Sequence, residues 1–363
     1  MKISFFGSSL VSSYWNGAAT YYRGLLKALA GFGHEITYYE PDAYERQQNR
    51  DIADPDWARV VVYPATPDGW QSSLAKAAAE ADLLVKASGV GVFDAELESA
   101  VAQARRAGAI CAYWDVDAPA TLDAINAAPG HHLRRAIPSY DMVLTYGGGD
   151  PVIEGYERIG ARICVPIYNA LDPDVHYPVP SRRDFECDLS FLGNRLPDRE
   201  ARVEEFFLSA AAKMAGRSFL LGGSGWHDKP MPANVRALGH VGTRDHNAFF
   251  CSGKATLNIN RDSMARNGFS PPTRVFEAAG AGACLITDAW EGIELFLEPG
   301  REVLVAASGE EVAEILAALE PGQARRIAEG ARARILAHHT YASRAQQVHE
   351  LLSGFTLRGE AAA

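Results

Sequence analysis

One stretch of this 363-residue sequence carries residue types spaced to hold a phosphorylated ligand. It runs Leu257-Asn258-Ile259-Asn260-Arg261, passes through Asn267-Gly268-Phe269, and continues as Ser270-Pro271-Pro272-Thr273-Arg274-Val275-Phe276-Glu277-Ala278-Ala279-Gly280-Ala281-Gly282. Ser270 suits a helix N-cap, and the two prolines suit a first helical turn, where a missing N–H costs little. The start of a helix offers free N–H groups and partial positive charge. Arg274 adds a full charge there, so the segment can grip a diphosphate. Glu277 falls further along the same helix, among small residues that permit close approach, where a carboxylate can accept both hydroxyls of a ribose.

Two other groups of residues could do chemistry. In Tyr113-Trp114-Asp115-Val116-Asp117-Ala118-Pro119 a pair of acids ends an apolar run. Neighbouring acids raise one another's pKa, which makes Asp115 or Asp117 a candidate general base. Asp117 reads equally as the cap of a helix beginning near Pro119. The small-residue loop Gly7-Ser8-Ser9-Leu10-Val11-Ser12-Ser13-Tyr14-Trp15-Asn16-Gly17 could present backbone N–H groups to an oxyanion. It lacks G-x-G-x-x-G, and the place for a ribose-binding acid after the second strand is taken by Glu40-Pro41-Asp42, so a dinucleotide reading is disfavoured. Gly7, Ser8, Ser9 and Gly17 then line a second substrate's side, or the loop is a structural turn. Gly147-Gly148-Gly149-Asp150-Pro151 has no Lys-Ser/Thr after it and reads as a turn. His131-His132 reads as a surface loop, and neither His338-His339 nor the cysteines have metal-ligand spacing.

These residues must be positioned by alternating strands and helices. Short β-branched or aromatic runs near 2–7, 34–39, 60–63, 82–87, 109–114, 141–146 and 163–168 predict strands, with amphipathic segments between most of them. That alternation predicts a parallel sheet covered on both faces. In the first helix Tyr22, Leu25, Leu26 and Leu29 recur at helical spacing before Gly31 and Gly33. Residues 173–187, rich in proline and arginine, read as a linker. A second series then starts at residues 188–193, with a helix over 197–214 and strands near 217–222, 255–260, 284–287 and 302–306. The expected division is an N-terminal domain over 1–172, the linker 173–187, a C-terminal domain over 188–335, and helices over 336–363 returning toward the N-terminal domain. The tail 359–363 is expected to fray.

Length and composition agree with two α/β domains, each of roughly 150 to 180 residues, and two domains imply a cleft. A net charge of −10 without a Lys/Arg block removes the electrostatic footprint that nucleic acid or an anionic membrane would need. Five dispersed cysteines, an odd number, read as core residues in a reducing compartment. The first residues read as a buried strand rather than a signal peptide, and no apolar stretch is long enough to span a bilayer. A soluble, cytoplasmic protein is expected.

The run from Asn258 to Asp288 resembles the C-terminal domain of GT-B glycosyltransferases, in particular the CgeB-like group of the group 1 family. The later Glu291-Gly292-Ile293-Glu294, Glu302-Val303-Leu304-Val305 and His339-Thr340-Tyr341-Ala342-Ser343-Arg344-Ala345 extend the likeness. It covers the C-terminal half well and the N-terminal half loosely. It implies two Rossmann-like doubly wound domains facing a cleft and metal-independent transfer of a sugar from a nucleoside-diphosphate sugar to an acceptor hydroxyl. No cofactor beyond that co-substrate is implied. Glu277 matches the family's ribose-binding glutamate. Arg195, then Arg199, in Gly193-Asn194-Arg195-Leu196-Pro197-Asp198-Arg199 stand where a basic residue meets the diphosphate, and His240 and Val241 stand beside the nucleobase. Arg261, Ser270, Thr273 and Arg274 complete the expected donor set. Trp114-Asp115-Val116-Asp117-Ala118-Pro119 resembles the family's Trp-x-x-Asp-x-Pro stretch, and the Gly7–Gly17 loop falls on the acceptor side. Related retaining enzymes carry a further glutamate eight residues before the ribose-binding one, where this chain has Phe269. That substitution keeps a non-catalytic nucleotide- or sugar-binding module in play, beside a nucleotide-sugar epimerase of the same fold. The acceptor, whether glycan, protein or small molecule, is left open, as are nucleobase, sugar, stereochemistry and oligomeric state.

Overall fold

The computed structural model describes residues 1–14 and 16–362, with side chains to 355. Trp15 of the first loop and Ala363 of the tail expected to fray lie outside the described residues. The chain runs β1 (Lys2–Phe6), α1 (Ala19–Gly31), β2 (Glu35–Asp42), β3 (Ala58–Pro64), α2 (Pro67–Glu80), β4 (Leu83–Ala87), α3 (Asp94–Ala104), β5 (Ile110–Asp115), α4 (Ala118–Ala127), α5 (Leu133–Ala136), β6 (Met142–Thr145), α6 (Gly149–Arg158) and β7 (Cys164–Pro166). It continues as β8 (Cys187–Leu192), α7 (Glu200–Val203), α8 (Ser209–Lys213), β9 (Phe219–Gly222), β10 (Val235–Gly239), α9 (Thr243–Ser252), β11 (Gly253–Asn258), α10 (Asp262–Asn267), α11 (Thr273–Ala281), β12 (Leu285–Asp288), β13 (Leu304–Ala306), α12 (Gly309–Ala318), α13 (Pro321–His338) and α14 (Tyr341–Ala362).

Two compact units result, one of residues 1–168 with 341–363, the other of residues 169–340. The first holds a seven-stranded parallel sheet ordered β3-β2-β1-β4-β5-β6-β7. Its central strands β4 and β5 are buried at every position, as a sheet covered on both faces requires, whereas the edge strand β3 exposes Arg59 and Val62. Tyr22, Leu25, Leu26 and Leu29 of α1 are all buried, as their spacing predicts. A Cβ on Gly24 would stand 2.1 Å from the Tyr341 ring, so this glycine lets α14 lie close against α1.

The second unit holds a six-stranded parallel sheet ordered β10-β9-β8-β11-β12-β13 around its own core of Leu189, Phe191, Phe207, Leu221, Leu257 and Ile286. Strand β10, unpredicted above, is an edge strand with two of its five residues exposed and none buried, so it carries no apolar run to mark it. The helix expected from Pro197 begins three residues later at Glu200, and Glu204–Leu208 inside it is a π-turn segment. The segment read as a linker is tied to α9. Tyr177 N–H donates to Asn247 Oδ1, Arg182 N–H to Ser252 Oγ, and the Asn247 side-chain amide to the Val175 carbonyl. All five cysteines are free, and Cys187 and Cys251 are only half-buried, unlike the three core thiols. Among the described residues, no helix is long and apolar enough to cross a membrane.

Candidate active site

In a doubly wound sheet, ligands bind beyond the carboxyl ends of the strands where the winding direction reverses. In the second unit that point lies between β8 and β11, so the residues after Leu192 and after Asn258 flank it. Arg274 of α11 reaches into this gap. Its Nε donates to the Leu192 carbonyl at 2.5 Å and its Nη1 to Asn258 Oδ1 at 2.8 Å, and the guanidinium lies 4.9 Å from the Phe191 ring centroid. The side chain is buried, and no carboxylate pairs with it among the described residues. Burial pulls its pKa down to about 9 and the neighbouring charge of Arg199 adds to that, while Glu277 and Asp288 act against the fall from beyond ion-pair distance. Both guanidiniums border Gly193, Arg274 Nη2 at 2.9 Å and Arg199 Nη1 at 3.3 Å from where a Cβ would stand. Arg199 also donates to the Asn194 carbonyl.

Two expectations about the start of α11 need correction. The cap position belongs to Pro272, the helix begins at Thr273, and Ser270 makes no capping bond; its buried hydroxyl has no hydrogen-bond partner. The prolines therefore precede the first turn, and Pro271 gives its carbonyl to the Asn169 side chain. Before them, Gly268 and Phe269 both have positive φ, 70° and 48°, a strained conformation for a bulky residue. The basic residues also divide differently from their order in the sequence. Arg195 forms a two-bonded pair with Glu200 of α7 and a further pair with Asp228 after β9, so its charge is met by carboxylates of the protein. Arg261 pairs with Asp198, tying the loop after β11 to the loop after β8. It is Arg199 that stands beside Arg274.

Glu277 follows Arg274 on the same helix. Burial raises its carboxyl pKa, against the pull of His246, Arg274 and a hydrogen bond from Thr273. Two histidines distant in sequence meet it: one ligand atom each from His176, His246 and Glu277 lies within 4.8 Å of the others. The two imidazole rings are nearly parallel at 5.9 Å. Burial lowers the pKa of His176 to about 4 and also lowers that of His246. Val241 is buried and its carbonyl accepts from His246 Nε2 at 3.3 Å, while His240 is exposed. Sequence reading missed both His176, hidden in the linker, and His246, on an ordinary-looking helix. Their only signal is proximity, which no local pattern reports.

Asp288 and Arg202 were missed as well. Asp288, buried at the end of β12, accepts from Asn260 N–H and pairs with Arg202 at 2.6 Å, holding the loop after β11.

In the first unit, Asp115 is fully buried rather than facing solvent. It accepts from Ser88 Oγ at 2.7 Å, Asp117 N–H at 2.9 Å, Thr121 Oγ1 at 3.1 Å and the Tyr156 hydroxyl. Burial raises its pKa, and those hydrogen bonds oppose the rise. With four donors filling its lone pairs, it ties β5 to α4 and α6. Asp117 is partly exposed at the N-cap position of α4, where its carbonyl accepts from Thr121 N–H while its side chain makes no capping bond. In the first loop, several of the amides read as oxyanion donors are already engaged within the protein. Leu10 N–H and Ser9 Oγ donate to buried Glu40, Ser12 N–H to Ser9 Oγ, and Ser13 N–H to Asp51. Gly7 N–H donates to the Tyr39 carbonyl and Ser8 Oγ to Asn16; Gly17 is exposed. The loop is thus built around a glutamate already in place, and this accounts for Glu40 without a ribose.

Residues 199–350 match the family model described as glycosyl transferase-like. No curated protein matches the chain in sequence. Among solved structures, sucrose-phosphate synthase from Thermosynechococcus elongatus is similar at a TM-score of 0.71 and 14% identity, over 99% of this chain and 100% of that one. HepE from Anabaena, in complex with UDP and glucose, is similar at 0.69 and 15% identity, over 97% and 99%. A glycosyltransferase from Rickettsia africae is similar at 0.65 and 12%, over 97% and 98%. With two parallel sheets wound in the same sense and these likenesses end to end, the chain has the GT-B fold, and its residues 199–350 are similar to the glycosyl transferase-like family.

Proposed function

We propose that this protein transfers a sugar from a nucleoside-diphosphate sugar to an acceptor hydroxyl on a glycan, protein or small molecule. The observation that carries the reading is Arg274: a buried cation with no carboxylate at ion-pair distance among the described residues, at the carboxyl ends of β8 and β11, beside a second arginine. A buried charge is tolerable when something of opposite sign completes it, and a diphosphate between Arg274, Arg199 and the first N–H groups of α11 does so. As the glycosidic bond to the diphosphate breaks, the same groups stabilise the negative charge that develops on the leaving oxygen, without a metal ion. Glu277 accepts the ribose hydroxyls, and Val241, with His240 beside it, borders the nucleobase. Arg195 and Arg261 hold the flanking loops through their ion pairs. On the acceptor side Asp117, the partly exposed acid of its pair, takes the proton of the attacking hydroxyl, and Asp115 positions it through the backbone. HepE has been captured with UDP-glucose, which makes uracil the first nucleobase to try.

Phe269 favours one second reading, a module that binds a nucleotide sugar without turning it over. Calorimetric titration with UDP, GDP, ADP, CDP and dTDP tests the donor site. One diphosphate is expected to bind at micromolar strength and to lose at least tenfold, about 1.4 kcal/mol, in Glu277→Ala. No binding to folded protein removes the donor-site reading. Binding of an intact nucleotide sugar without release of the diphosphate supports the module.

A further inference from the structure

The histidines beside Glu277 are unexplained by donor binding alone. His176 is 4% exposed, and its Nε2 is buried with no hydrogen-bond partner. His246 donates Nε2–H to the Val241 carbonyl, which leaves Nδ1 as the bare lone pair, and that atom is likewise buried without a partner. This is how metal-binding imidazoles are prepared: one ring nitrogen is fixed by a carbonyl so that the other points at the ion. An unpartnered buried ring nitrogen costs free energy, and two such histidines beside one carboxylate are more costly than a single accident of packing.

We propose that His176, His246 and Glu277 form a site for one divalent transition-metal ion, zinc first, whose occupancy takes Glu277 away from the donor ribose. Two imidazole nitrogens and a carboxylate oxygen are a ligand set that zinc accepts, with solvent in the fourth position. Ligand atoms bound tetrahedrally at about 2.1 Å stand ~3.4 Å apart. The present separations, all within 4.8 Å, close to that by small side-chain rotations. The scaffold supports the arrangement. Asn247, next to His246, clamps the backbone on both sides of His176, and Gly280 of α11 lets the His176 segment approach the helix that carries Glu277. Zinc and a ribose then compete for one carboxylate, so the ion acts as an inhibitor of donor binding. The competition rests on the donor-site reading above, whereas the metal site does not.

Titration of zinc chloride into the full chain, freed of metal by chelator and dialysis, separates the two. One ion per chain is expected at micromolar affinity, weakened at least tenfold in His176→Ala, His246→Ala and Glu277→Gln. Cobalt(II) in the same site should give a visible absorption band that zinc abolishes. Should His176→Ala fail to fold, judged by its thermal melt, His246→Ala and Glu277→Gln carry the test. Saturating zinc is expected to raise the apparent Kd for UDP at least tenfold in wild type and not in the histidine variant. Absence of zinc binding by folded protein, or binding that ignores all three substitutions, overturns the site. Zinc binding with UDP affinity unchanged, or with no UDP binding at all, overturns the competition and leaves the ion bound at a site of its own.

Discussion

Arg274 and Arg195 are both arginines on donor-side segments, and what separates them is the company each keeps. Arg195 is neutralised by Glu200 and Asp228, while Arg274 gives its hydrogen bonds to two neutral oxygens and keeps its charge for a ligand. Arg274→Met is therefore expected to weaken UDP binding more than tenfold, and Arg195→Met less than threefold, by calorimetry; equal losses would show that the loop arginine also meets the phosphates. Asp115 makes the opposite kind of prediction. Removing its carboxylate strands Ser88, Thr121, Tyr156 and the Asp117 N–H inside the unit. Asp115→Ala should cost about 3 kcal/mol of stability, seen as a lower urea midpoint at an unchanged m-value. A variant that unfolds at the wild-type midpoint but has lost activity would return Asp115 to the reacting groups. The acids Asp115 and Asp117 were visible in the sequence; which one is walled in by four donors was not, because Ser88 and Tyr156 reach it from segments distant along the chain.

At the scale of elements, α1 shows how close approach outweighs propensity. Gly24 lies in mid-helix, where alanine is normally better by about 1 kcal/mol. The Tyr341 ring occupies the place of the new methyl group, and overpacking of this kind costs ~1–3 kcal/mol. Gly24→Ala should thus lower the melting temperature, and a rise would mean that α14 yields without loss. The helix carrying Arg274 and Glu277 was legible from its spacing and small residues, but its first turn was not. Ser-Pro-Pro suggests a capped start at Ser270, whereas Gly268 and Phe269 put the preceding chain in the left-handed region and delay the helix to Thr273. Strand β10 escaped for a different reason. An edge strand needs no continuous apolar run, since one side of its ladder and much of its surface meet water.

Across the whole molecule, the chain leaves the first unit at Tyr168 and returns to it at Tyr341, so its last helix belongs to the sheet that was built first. Gly24, Tyr21 and Tyr341 meet in that packing, with the Tyr21 and Tyr341 rings 6.0 Å apart. Removal of residues 341–363 should strip hydrogen-exchange protection from α1 while leaving β8, β11 and β12 protected; uniform loss in both sheets would contradict two separate cores. The sequence by itself determined the alternation of strands and helices, the two-sheet class, the buried stripe of α1 and the small-residue helix around Glu277. Each of these is a pattern among near neighbours, imposed by the periods of strand and helix. Only the tertiary structure decided that Arg274 has no close ion pair among the described residues while Arg195 has two, that Glu40 fills the first loop, and that His176 and His246 stand beside Glu277. Pairing and burial depend on which distant segments share a volume, and the spacing of residues along a chain carries no record of that.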